Sequence, residues 1–381
     1  MKKLFFIALV ALLATAGLAG ATDFSITGSY YSRGTYVDNW DGTAFDNAGD
    51  SYGVFDQELS LDTKWTIDDT TGVVARFEIR DDNWADGDDG TRDDNIEVQR
   101  AWGYHTFGNG GTLSVGQMTG GAWGTSFADQ AGAAYRIKYV LPTSMGTLIG
   151  LYQKVAEGTT TNNDYDVYGI LGVTKVAGIS LFPGVLLYDN ENTENKAWKF
   201  ALAAKGGFGN IGWEAEGEFM TFDAAIDYSL YGLYGNIWAQ LDALKIGALA
   251  AFGNEDEGNY FDFDDDFTAG GALLLGDDVF MNDAAGQMAL RGVTLIALYA
   301  DYAVNDKLSF GVYLGYASSH ADDNSNMDGA TATEISGDIT YKITPNLTYS
   351  VAAGTAQLEY GSGFSDPEAA LEINNKLAFS F

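Results

Sequence analysis

The feature that most constrains this chain is an alternation of apolar and polar residues with period two. Phe55, Leu59, Leu61, Trp65 and Ile67 interleave with Asp56, Glu58, Ser60, Asp62, Lys64 and Asp68. The same dyad returns at Leu308, Phe310, Val312, Leu314 and Tyr316, and again where Ile211, Trp213, Ala215 and Phe219 alternate with Glu214, Glu216 and Glu218. Successive side chains of a strand point to opposite faces, so each segment reads as a strand with one apolar and one polar face. The segments commonly run about 11 to 14 residues, whereas globular strands average about 5 to 6 and a strand tilted across a bilayer needs roughly 9 to 11. Length favours the membrane.

The connections alternate as well. Short turns are predicted near residues 69–72, 108–111, 142–144, 177–178, 206–210, 241–242, 305–306 and 344–346. Longer polar stretches lie between them, including 38–50, 81–93, 120–133, 254–290 and 319–331. Short turns at one end and long loops at the other are the wiring of an outer-membrane barrel. About 18 strands are expected, with 16 as the alternative count, and both chain ends fall on the short-turn side. Pro142, Pro345 and Pro367 fall in turns or loops, but Pro183 sits inside the segment 179–188, where a bulge is expected.

Composition removes the competitors. The sequence carries 53 acidic against 20 basic residues, a net charge of −33, so nucleic-acid phosphates would be repelled. Such acidity often accompanies disorder, yet 46% of residues are apolar, with 22 Phe, 22 Tyr and 8 Trp. There is no cysteine, hence no disulfide framework. Lys2 and Lys3, the apolar run 4–14 and Ala19-Gly20-Ala21 read as a secretory signal peptide cut after Ala21, leaving 22–381 as a single barrel domain. The final strand ends LAFSF, and its terminal Phe381 resembles the signal read by the barrel assembly machinery. The expected place is therefore the outer membrane of a Gram-negative bacterium, with lipid and lipopolysaccharide as contacts and Trp65, Trp102, Trp198, Trp213 and Trp238 as an interfacial girdle.

Residues 100–117, RAWGYHTFGNGGTLSVGQ, resemble the hairpin of the general Gram-negative porins in which an Arg-led strand meets a Gly-rich turn. AYRIKYVLPTSMGTLIGLYQ, residues 134–153, is similar to the hairpin that follows it. The resemblance implies a homotrimer of water-filled channels for passive diffusion of small hydrophilic solutes. It also implies an external loop folded into each barrel, whose acids face a ladder of arginines holding Arg100 and Arg136. Alternation places Arg76, Arg80 and Glu78 on the polar face of 73–84, beside Glu58 and Asp62. Ile96 and Val98 share the register of Arg100, a conflict that a bulge would resolve. Two departures matter. Glu58 stands where the family often has Arg, and the loop 118–133 carries a single acid, Asp129. That shifts the expected narrowing to 254–290, with FDFDDDF at 261–267 as its acidic element.

Acids crowd the loops at 81–94 and 255–266, which predicts cation preference, since negative charge around a low-dielectric mouth concentrates cations. Glu214, Glu216 and Glu218 are expected to face the lumen on the eleventh strand. They would either oppose the arginines in a transverse field or simply hydrate the wall. No dry, fully apolar plug is expected. No cofactor or metal site is expected: the stretch 86–95 lacks the spacing of a calcium loop, which leaves surface divalent cations bridging to lipopolysaccharide. A saccharide-selective porin is the alternative function. A membrane-barrel enzyme ranks lower, because neither His105 nor His320 has a serine beside it in a recognisable motif.

Overall fold

The structure is a computed structural model, and it describes residues 23–39, 51–81, 95–121, 123–127, 132–157, 164–193, 195–224, 226–261, 263, 267, 292–320, 328–361 and 363–381. The signal-peptide segment lies outside the described residues.

Eighteen strands form one closed antiparallel sheet. The first six are β1 (Asp23–Asp38), β2 (Ser51–Thr66), β3 (Thr71–Asp81), β4 (Asn95–Thr106), β5 (Thr112–Met118) and β6 (Ala134–Thr143). The wall continues with β7 (Gly146–Ala156), β8 (Tyr165–Val176), β9 (Ile179–Asn190), β10 (Asn195–Phe208), β11 (Ile211–Asp223), β12 (Tyr228–Leu241) and β13 (Leu244–Gly253). A separate small hairpin, β14 (Glu255–Asp256) with β15 (Asn259–Tyr260), interrupts it. The wall is completed by β16 (Val293–Ala303), β17 (Leu308–Ser319), β18 (Thr331–Thr344), β19 (Leu347–Glu359) and β20 (Ala370–Ser380). Each wall strand pairs with its neighbours in sequence, and β20 pairs with β1 to shut the ring. A closed sheet has no free edge, so every strand's backbone polar groups can be satisfied within the wall.

The turns explain themselves locally. Between β8 and β9 the chain reverses on Ala177 and Gly178, with φ of 51° and 89°. Two consecutive residues of positive φ form the primed turn whose twist matches that of antiparallel strands. All eight predicted short turns lie at one end of the barrel and the long connections at the other, as the alternation required.

The pairing registers assign each side chain to the inside or the outside. On β10 and β11, Ala197, Lys199, Ala201 and Ala203 share a face with Glu214, Glu216 and Glu218, and this face is largely buried. Trp198, Phe200 and Leu202 share the opposite face with Phe219 and are about half exposed. The same outward series continues through Leu233, Ile237, Leu298, Val312, Leu314 and Ile335 around the barrel. A belt of exposed aliphatic and aromatic side chains this extensive is unfavourable in water and natural against hydrocarbon.

Three expectations meet the register directly. The conflict around Arg100 is resolved by a register shift in the β3–β4 pairing: Arg76 faces Arg100, while Phe77 faces Val98, so Gln99 is the extra residue. Pro183, in contrast, makes no bulge. The sums of paired positions stay constant on either side of it, with Leu171 opposite Gly184 and Thr174 opposite Leu181. The wall absorbs the proline by losing a hydrogen bond rather than by adding a residue. The aromatic girdle is also only partly as expected. Trp65, Trp198 and Trp213 point outward, whereas Trp102 and Trp238 point inward, because they share the faces of Arg100 and Asn236.

Candidate functional site: the barrel interior

Every member of the predicted lumen set whose side chain is described lies on the inner face. Glu58 stands between Tyr31 and Arg80 in the β1–β2–β3 register, and the Ser60 hydroxyl donates to its Oε1 at 2.8 Å. Asp62 faces Arg76, whose Nη2 lies 3.5 Å from the carboxylate, and Glu78 Oε1 is 3.9 Å from Arg76 Nε. Arg100 follows on β4 and donates from Nε to Gln99 Oε1 at 3.2 Å. Arg80 holds its predicted strand position opposite Glu58. Asp129 lies outside the described residues. The β2–β4 wall is thus a mixture of both signs, and not a purely basic ladder. Sequence reading missed Arg33 and Lys376, which extend this wall onto β1 and β20. Arg33 Nε donates to Asp56 at 2.9 Å, and Lys376 Nζ lies 4.1 Å from the centre of the Tyr31 ring.

The second group is built around the connection between β5 and β6, residues 119–133. Short as it is, its described residues enter the barrel, and 123–127 reach β8, β11 and β12 on the far side. Arg136 is its clamp: Nη1 donates to the carbonyls of Met118 and of Gly132, the latter at 2.9 Å, while Nε donates to Gln153 at 2.8 Å. Lys138 Nζ donates to the Gly120 carbonyl at 3.2 Å. Arg136 is therefore a buried structural cation as well as a wall position. Farther along, the Trp123 indole donates from Nε1 to the Gly172 carbonyl of β8 at 3.1 Å. Thr125 donates from both its backbone N and its Oγ1 to Glu216 Oε2, at 2.7 and 2.6 Å. Gly124, with φ +74°, makes the close approach; a Cβ there would stand 2.9 Å from Glu216 Oε1.

At the tip, Phe127 is completely buried. It stacks on Tyr234 of β12 and on Phe261, with centroid separations of 5.5 and 5.6 Å, and it contacts Phe263 and Phe267 at 4.9 and 5.6 Å. These last three are the phenylalanines of FDFDDDF, and Asp262 and Asp264 to Asp266 lie outside the described residues. Both predicted loops therefore meet inside the barrel, joined by aromatic rings. The expected narrowing by 254–290 alone is corrected: residues 123–127 lie across the lumen, and Phe261, Phe263 and Phe267 of the longer connection pack on Phe127.

The interior also departs from the expected polar lining. Leu230, Leu249, Leu295, Ala297, Tyr299, Tyr313, Ala317, Ala332, Ala356 and Leu358 all face inward and form one buried cluster with Phe127 and the three loop phenylalanines. The β12–β19 side thus carries a packed apolar core. Strand periodicity gave no warning, because an inner face of small and aliphatic residues looks like either face of a strand until its partners are known.

The three glutamates of β11 face inward as expected, yet none stands as an open charge. Glu218 Oε2 is 2.6 Å from Lys199 Nζ, and both side chains are buried. Glu214 accepts from the Tyr234 hydroxyl at 2.8 Å and lies 3.7 Å from Lys205 Nζ. Glu216 holds the loop. Of the two expected readings, the pairing weakens a field directed from a basic wall to an acidic one: Lys199 lies beside Glu218 and Lys205 beside Glu214, and Asp62 and Glu78 flank Arg76. The sequence signal that could have shown this is simple, since Lys199 and Lys205 share the inward parity of the neighbouring strand.

Between the loop and the β6–β10 wall lies a cavity of about 210 Å³. Arg136, Lys138, Lys199 and Glu218 give it charge, while Trp123, Ile149, Leu151, Leu171 and Leu186 give it an apolar wall. The two histidines are remote from it. His105 Nδ1 is 2.8 Å from Thr71 Oγ1 on the outer face near the short turns, and His320 Nε2 is 2.6 Å from Thr294 Oγ1. Among the described residues no group of acids and histidines forms a metal site.

No protein-family model matches the chain, and no curated protein matches its sequence. Solved structures do match. Acinetobacter baumannii OccAB3 superposes with a TM-score of 0.64 at 11% identity, over 94% of this chain and 99% of that one. Pseudomonas aeruginosa OccK9 (OpdG) gives 0.64 at 14% identity, over 95% and 99%. A BenF-like porin from Pseudomonas fluorescens Pf-5 gives 0.64 at 12% identity, over 95% and 99%. The fold is the closed antiparallel barrel of these structures. At these identities the likeness fixes the architecture, and the residues of the interior must be argued from this chain alone.

Proposed function

We propose that the chain is an outer-membrane porin, a channel for passive diffusion of small hydrophilic solutes into the periplasm. The observation that carries this is the combination of a closed barrel, apolar outside, with an interior narrowed by an inserted loop and lined on one side by charged groups. A barrel needs none of that internal apparatus merely to span a bilayer, and it has the use of controlling what passes. The expected homotrimer, the contact with lipopolysaccharide, bridging divalent cations and recognition of Phe381 during assembly belong to the same proposal.

Cation preference is retained with a different origin. The paired interior glutamates contribute little net field, so the preference would come from the excess acids of the long loops and the overall charge of −33. Reversal potentials in a KCl gradient across planar bilayers test it, and a preference for chloride would overturn it.

One observation favours selectivity among solutes over plain sieving. The 210 Å³ cavity sets apolar side chains beside Lys138 and Arg136, an arrangement suited to a solute with an apolar body and a polar head. A saccharide remains within that description, through stacking on Trp123. Liposome swelling with maltodextrins and with non-sugars of equal size separates the two, and equal rates would return the protein to general diffusion.

A further inference from the structure

The inward loop is seated on the wall at a place where the wall has been cut to receive it. Leu171 pairs with Gly184 and Thr174 with Leu181, and this unshifted register sets Gly172 opposite Pro183. Glu191 N donates to Asp164 O at 2.8 Å across the same two strands. Hydrogen-bonded pairs recur at every second position of an antiparallel ladder, so Gly172 and Pro183 also form such a pair. Proline has no N–H to give, and the Gly172 carbonyl loses its ladder donor. Trp123 Nε1 supplies the missing hydrogen bond at 3.1 Å. The next residue, Gly184, faces inward, and a Cβ there would stand 2.8 Å from Trp123 Cζ2. Pro183 therefore frees the acceptor, and Gly184 vacates the space.

We infer that Pro183 and Gly184 form a notch in β9 that positions Trp123, and that the notch sets the width and discrimination of the passage beside it. This rests on the channel proposal above. Trp123 lines the cavity together with Lys138, Leu171 and Leu186, so where its ring sits decides the shape presented to a passing solute. Both notch residues are positioning residues, acting through the indole. A proline within a strand of a closed sheet has no free edge to occupy, which is why its missing donor needs a replacement.

The experiment uses the full-length protein in planar bilayers, with heat-modified gel mobility as the check that each variant barrel has formed. Pro183→Ala restores the ladder N–H, Gly184→Ala fills the ring's space, and Trp123→Phe keeps a ring without the donor. A neutral hydrogen bond contributes about 1 kcal/mol net, so Pro183→Ala and Trp123→Phe should each shift the seated population by about fivefold. Each should alter single-channel conductance and the permeability ratio of a bulky to a small ion in the same direction. Gly184→Ala should follow them. The double variant Pro183→Ala with Trp123→Phe should change no more than either single one, because both remove one bond. Wild-type conductance in Pro183→Ala, or strict additivity in the double variant, overturns the inference. A second readout keeps the two proposals apart: with fluorotryptophan incorporated, the fluorine resonance absent from Trp123→Phe must move in Pro183→Ala. If the native protein does not conduct, the channel proposal fails, while that resonance still decides the notch.

Discussion

Replacing Phe127 by alanine tests whether the loop is anchored by its aromatic tip. The ring is completely buried and has four aromatic neighbours, two of them stacked at interplanar angles of 10° and 15°. Deleting a buried phenylalanine side chain costs about 3–5 kcal/mol, part of it from the cavity left behind. The barrel ladder is untouched, so the loss falls on docking of residues 119–133 and of the segment around Phe261 to Phe267. At about 1.4 kcal/mol per tenfold, the undocked population should rise by at least about a hundredfold. Limited proteolysis of the folded protein reads this as faster cleavage within 119–133, and single-channel recording reads it as larger or noisier conductance. Phe127→Leu should be milder, since it keeps most of the apolar volume. The reasoning is refuted if Phe127→Ala is as protease-resistant and as quiet as the native protein while its barrel is intact.

Three further outcomes follow from the same geometry. Lys199→Met should destabilise the barrel by about 3–5 kcal/mol in urea titrations of vesicle-inserted protein, because it leaves the buried Glu218 carboxylate without its ammonium; adding Glu218→Leu should recover most of that, and a double variant as weak as the single one contradicts the pairing. Gly124→Ala should loosen the loop by about 1–2 kcal/mol, from positive φ and from crowding of Glu216, and unchanged protease resistance would count against it. In the β2–β3 turn, Asp68 Oδ1 accepts from Thr70 N at 2.8 Å and Thr70 Oγ1 at 2.7 Å, and these bonds hold its carboxyl below the ordinary value of 3.8. A carboxyl depressed on folding stabilises the turn above its unfolded value and loses that contribution as pH falls through the folded one; the Thr70 amide resonance should titrate below 3.8 and stop titrating in Asp68→Asn.

Much of the fold was legible because period two is a local property. Each segment's alternation reports its own two faces, and the turn residues report where it ends, so strand count, wiring and the inward parity of Glu214, Glu216 and Glu218 were all readable. The relative heights of neighbouring strands were not, since they depend on registers fixed by pairing. That is why the close approach of Lys199 to Glu218 was not readable, although the inward parity of Lys199 and Lys205, like that of Trp102 beside Arg100, was present in the alternation. Residues 119–133 were discounted for their lack of acids, but the loop is held by a clamp of Arg136, by one glutamate and by rings. Trp123 depends on a hydrogen bond missing about sixty residues away, at Pro183, and no local pattern announces a vacancy.

The closure of β20 on β1 has a consequence for how the chain reaches this state. Gly28 and Phe381 exchange both backbone hydrogen bonds, at 2.8 and 3.0 Å, so the last residue is zipped into the first strand. Every other wall pairing joins segments adjacent along the chain, whereas this one closes a circuit of roughly 350 residues. Loop-closure entropy grows only by about 0.6 kcal/mol per doubling, so the long circuit costs roughly 3 kcal/mol more than a hairpin. That is small beside a ten-residue ladder, and the penalty is one of timing rather than of stability. Hairpins can accumulate in any order, but until the final strand arrives the sheet has two open edges, each with a lipid-seeking face. Losing β20 would therefore leave the other seventeen wall strands with two open edges and the ring unable to lock.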